Sequence, residues 1–103
     1  MGFYSADLKI MRVYPAGREA TSYTVLNGTE ILAPYAFQGA DKLTEIKLPD
    51  TLQSVYPMAF LDCKALTSLT LPVGVTSVED GFVRGCDSLE QIFFLGDAPE
   101  FSE

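Results

Sequence analysis

The sequence predicts a repeat solenoid of about three coils, mostly β with brief helical turns, whose first coil is covered by an N-terminal β-hairpin. Three observations predict it. The block Ala36 to Pro49 returns 23 residues later as Ala59 to Pro72, and again, less purely, as Phe82 to Leu95. Within each block the same slots stay apolar: Leu43, Ile46 and Leu48 are followed by Leu66, Leu69 and Leu71, then by Leu89, Ile92 and Phe94. The composition, 48% hydrophobic and 20% charged over 103 residues, supplies one folding unit with apolar surface to bury and too little charge to stay disordered.

Taken in order, residues 1–21 read as the cap. Phe3-Tyr4, a turn at Ser5-Ala6-Asp7, and Leu8 to Tyr14 form the two arms of a hairpin. The array follows over 22–95, in coils 22–35, 36–58, 59–81 and 82–95, the first and last of them partial. Stepping back one period from Ile46, Leu48 and Val55 places Tyr23, Val25 and Leu32 on the same slots. In each coil a short strand points Leu43, Ile46 and Leu48 inward while Thr44 and Lys47 point outward, the period-2 rule of a half-buried strand. Pro49 and Pro72 close that strand and a corner follows. Asn27-Gly28 alone would signal a hairpin, but it occupies the same slot and reads as a third corner. Leu52 and Val55 carry the chain back across the core. The Ala-Phe-x-x-Cys segment reads as a tight helical turn that points Phe37 or Phe60 inward. Residues 96–103 form a tail, either folded under the last coil with Phe101 as a plug or leading into further chain.

The block Ala-Phe-x-x-Cys-x-x-Leu-x-x-Ile-x-Leu-Pro-x-x-Leu-x-x-Ile, carried by residues 22–95, resembles the leucine-rich repeats of the BspA-like type. Coil one departs from it with Ala40 in the Cys slot. Coil three departs with Phe82 and Val83 for Ala-Phe and Leu95 for Pro. The resemblance extends toward the N-terminus through the hairpin and its Tyr14-Pro15-x-Gly17 exit. It implies an α/β-type right-handed superhelix in a surface-exposed or secreted bacterial protein, associated with adhesion and protein binding.

Seven Lys and Arg against fourteen Asp and Glu leave a net charge of -7. That field repels phosphate backbones and anionic head groups, which argues against nucleic acid and membrane partners. With no His, the chain lacks the usual general base and the commonest metal ligand. No apolar run reaches the length of a membrane span, and Met1 to Ile10 show no basic start followed by an apolar stretch. No enzyme activity, cofactor or metal is expected.

Cys63 and Cys86, one period apart, admit three readings. A catalytic thiol would need a base and an electropositive setting. A cross-coil disulfide would stabilise by about 3 kcal/mol, but stacked side chains run parallel instead of converging. A small buried slot filled by a thiol agrees with Ala40 in coil one. The acidic residues from Glu79 to Glu103 read as a solvated face, since no calcium-loop spacing or convergent carboxylate pair is present. Asn27-Gly28-Thr29 fits the glycosylation triplet by chance. Tyr35 and Tyr56 either cover the core or face a partner.

A solenoid presents its outward strand positions as a continuous surface. The expected protein-binding surface is therefore the ladder Lys47, Thr70 and Phe93, flanked by Glu45, Ser68 and Gln91, with Phe93 its one aromatic. The competing expectation is a spacer or assembly segment that associates end to end through its C-terminal edge.

Overall fold

The computed structural model describes residues 3–15, 17–79 and 81–96, and the backbone of 100–101. Alternating segments closed by Pro and Gly corners become nine short strands: β1 (Ile10–Met11), β2 (Ser22–Thr24), β3 (Ile31–Leu32), β4 (Glu45–Lys47), β5 (Ser54–Val55), β6 (Ser68–Leu71), β7 (Ser77–Val78), β8 (Gln91–Phe94) and β9 (Glu100–Phe101). All strand pairs are parallel. One wall is a five-stranded sheet in the order β1-β3-β5-β7-β9, and the second consists of the pairs β2-β4 and β6-β8. Along the array the register steps by one 23-residue period, Tyr23 on Ile46 and Leu69 on Ile92.

The chain passes the first wall five times, so it makes about four turns where three are expected. Two passes lie beyond the expected coils: the last is Glu100–Phe101, in the expected tail, and the first is Ile10–Met11, which reads in sequence as a hairpin arm. It does make that contact, through an antiparallel bridge between Tyr4 and Met11, and its other edge pairs with β3 as the first strand of the sheet. Backbone bonds from Ser5 N–H to Ile10 O (2.9 Å) and from Arg12 N–H to Phe3 O (2.6 Å) close the hairpin.

The three corners share one geometry. The carbonyls of Leu26, Pro49 and Pro72 accept from the N–H of Thr29, Leu52 and Val75, each at 3.1 Å. Asn27-Gly28 is thus a repeated corner, with Gly28 at φ +104°, where a side chain would be strained.

The segments expected to wind as helical turns do not, and among the described residues no helix forms. Left-handed residues interrupt the winding at two slots per coil. Tyr35, Met58 and Gly81 have φ of 62°, 60° and 65°, while Gly39, Asp62 and Gly85 have 73°, 61° and 76°. Each slot recurs at the 23-residue period. A right-handed helix cannot continue through a residue of positive φ.

Between the walls lies the core. Phe37 and Phe60 are fully buried and stack at 5.3 Å with their planes 10° apart, and Tyr14 extends the stack onto Phe37 at 5.5 Å. Full burial of such a side chain contributes about 1.5–3 kcal/mol. At the N-terminal end the guanidinium of Arg18 sits over the rings of Phe3 and Tyr14, 5.3 and 5.2 Å from their centroids. Toward the C-terminal end burial relaxes: Leu66, Leu69 and Leu71 are buried, whereas their successors Leu89, Ile92 and Phe94 are half-buried.

Candidate functional site

Strand alternation turns one row of side chains into the core and the next outward on β4, β6 and β8. Ser68 pairs with Gln91 and Thr70 with Phe93, while Glu45 and Lys47 pair backward with Ser22 and Thr24. All six expected surface residues, Glu45, Lys47, Ser68, Thr70, Gln91 and Phe93, are exposed. Phe93 is 46% exposed, the aromatic of the row. The columns begin one strand earlier than the sequence reading placed them, at Ser22 and Thr24.

The row is not continuous. Strands β2 and β4 are laddered, as are β6 and β8, but β4 and β6 belong to separate sheets although they are neighbours. At that seam lies a cavity of about 220 Å³. Glu45, Lys47, Leu48 and Asp50 line it from one coil, and Ser68 and Thr70 from the next. Sequence reasoning placed four of the nine lining residues on the surface and missed Ile46, Leu48, Asp50, Pro72 and Leu95, because a repeat that matches slot for slot gives no sign that two neighbouring strands fail to pair.

The cysteines lie away from this face. Both are free, Cys63 buried and Cys86 half-buried. Cys63 Sγ donates to Phe37 O at 3.2 Å, and Cys86 Sγ donates to Phe60 O at 3.1 Å. The neighbouring Cys86 sulfur and then burial push the Cys63 thiol above the ordinary cysteine range, so it stays protonated and inert. Among the described residues no cluster of three or more His, Cys, Asp or Glu could hold a metal ion.

Tyr35 and Tyr56 do not cover the core: they are 48% and 36% exposed, and the left-handed backbone at Tyr35 breaks the winding there. In the Asn27-Gly28-Thr29 triplet Asn27 is exposed, but Thr29 is fully buried with its hydroxyl on Leu8 O at 3.4 Å. The triplet serves the corner. Of the acidic face, Asp87 pairs with Lys64 at 3.2 Å on the surface, where Asp62 flanks the same lysine at 3.9 Å. Such exposed pairs contribute little. Asp80, Asp97 and Glu103 lie outside the described residues, as do the side chains of Glu100 and Phe101, so the plug expected of Phe101 does too. No described helix is long and apolar enough to cross a membrane.

Comparison with known proteins agrees with this geometry. The family model for the BspA type leucine rich repeat region matches residues 15–102, in six copies. No curated protein matches the chain. Among solved structures, a leucine-rich repeat protein from Eubacterium ventriosum superposes with a TM-score of 0.82 at 25% identity, over 91% of this chain and 25% of its own. A leucine-rich repeat protein from Bacteroides capillosus gives 0.75 at 24% identity, over 85% and 64%. A leucine rich cell surface protein from Faecalibacterium prausnitzii gives 0.70 at 24% identity, over 74% and 20%. The chain therefore spans a fifth to under two thirds of the length of these relatives.

Proposed function

We propose that this chain, which belongs to the BspA type leucine-rich repeat family, is a noncatalytic protein-binding module of a surface or secreted bacterial protein. The observation that carries the reading is the exposed ladder on β4, β6 and β8, where Phe93 stands 46% exposed among Gln91, Thr70 and Ser68. A row of polar and charged side chains around one aromatic suits a protein partner, since aromatic residues are enriched where interfaces gain most of their energy. Location at the cell surface or outside it rests on the resemblance to the family, and one relative of the same fold is described as a cell surface protein.

A second reading draws on the half-buried Leu89, Ile92 and Phe94. On it, the module is a spacer or assembly segment whose C-terminal edge stacks end to end on a further coil or a second copy. Light scattering across a concentration series separates the two. A monomer at all concentrations supports the binding module, and a mass that rises with concentration, reversed by Ile92→Lys, supports the assembly segment.

A further inference from the structure

Neighbouring parallel strands join through evenly spaced N–H···O=C bonds. The two middle coils make such bonds along most of their circumference. Strands β5 and β7 are laddered, and in the turns Phe37 N–H reaches Ala59 O at 2.7 Å and Gly39 N–H reaches Leu61 O at 2.9 Å. Between β4 and β6 no ladder forms, although the strands are neighbours. Where a continuous sheet would join these strands, their residues instead line a cavity of about 220 Å³ in the middle of the exposed ladder.

The lining selects what enters. Its volume falls below the range of about 300–1,000 Å³ typical of pockets for drug-sized ligands, which suits one inserted side chain. Glu45 and Asp50 are opposed by Lys47 alone among the lining residues, in a chain of net charge -7. Leu48, Pro72 and Leu95 give the wall an apolar strip. A guanidinium carries five donors in a planar fork and no acceptor, matching carboxylates. Its aliphatic stem packs along apolar surface.

We infer that the seam between β4 and β6 binds an arginine side chain presented by a protein partner, with Glu45 and Asp50 holding the guanidinium. The inference rests on the protein-binding reading of the ladder and names the group that reading leaves open.

The test titrates the peptides acetyl-Gly-Arg-Gly-amide, its Lys analogue and its citrulline analogue into the 15N-labelled full chain. The expected result is saturable shifts at the amides of Ile46, Ser68 and Thr70, with a Kd for the Arg peptide at least tenfold below the other two. The double variant Glu45→Gln, Asp50→Asn, its spectrum otherwise unchanged, raises that Kd at least tenfold. Equal affinity for the three peptides, shifts confined to other residues, or indifference to the double variant overturns the inference. If the peptides fail while substitutions at Phe93 still change capture of a protein partner, the seam alone is wrong. If both fail, so is the binding reading.

Discussion

The thiol of Cys63 donates a hydrogen bond to the carbonyl oxygen of Phe37, 3.2 Å away and 26 residues earlier in the chain. Cys86 repeats it on Phe60, again 26 residues back, at 3.1 Å. The cysteine of each block is therefore a tie to the coil before it, and its slot is more than a small apolar space.

Replacing that tie has a bounded effect. In Cys63→Ala, Phe37 O keeps the N–H of Ala40 at 3.1 Å, so no buried acceptor is orphaned. The loss is one thiol bond and a small volume, about 1–2 kcal/mol. Cys86→Ala, at a half-buried position, loses less. Urea unfolding checks this: the midpoint of Cys63→Ala falls further than that of Cys86→Ala, at unchanged slope. A Cys63→Ala midpoint equal to that of the parent chain contradicts the tie.

Left-handed slots set a second constraint. Gly85 has φ +76°, and a Cβ there would collide with the carboxylate of Asp62, its predecessor in the repeat. Gly85→Ala is expected to destabilise by roughly 1–2 kcal/mol from the backbone alone, with the collision added. In an Asp62→Ala background the collision with the carboxylate disappears, while the backbone part and the close approach to the residue 62 main chain remain. A double-mutant cycle reads the difference as coupling of at least about 0.5 kcal/mol, and additive effects contradict the packing.

Much of this was legible in the sequence. The 23-residue period placed Tyr23 on Ile46 and Leu69 on Ile92, and it turned Asn27-Gly28 from a hairpin into a corner. Three features were not legible, for physical reasons. Ile10 pairs with Ile31 at a spacing of 21, so a search at period 23 stops before β1. Tyr35, Met58 and Asp62 adopt positive φ without being glycine, so the turns look helix-compatible. The seam between β4 and β6 interrupts a ladder that the repeat reads as continuous.

The cap gives a pH dependence. Tyr4 and Tyr23 share a hydroxyl hydrogen bond of 2.6 Å, and burial, followed by that bond, raises the Tyr23 pKa well above its ordinary value of 10.0. The folded chain holds this proton more tightly than the unfolded chain. The stability it provides is full below pH 10.0 and is lost as the pH rises above it. Denaturation between pH 9 and 12 should show the parent chain losing stability more steeply than Tyr23→Phe. Equal slopes contradict the raised Tyr23 pKa.

The binding surface is tested most directly by immobilising the chain and measuring capture against a panel of purified extracellular proteins, for the parent and for Phe93→Ala, Lys47→Ala and Thr70→Ala. The account predicts that Phe93→Ala weakens capture of a bound partner at least tenfold while its melting temperature stays within a few degrees of the parent's. If all three substitutions leave every captured interaction intact, the ladder is not the binding surface.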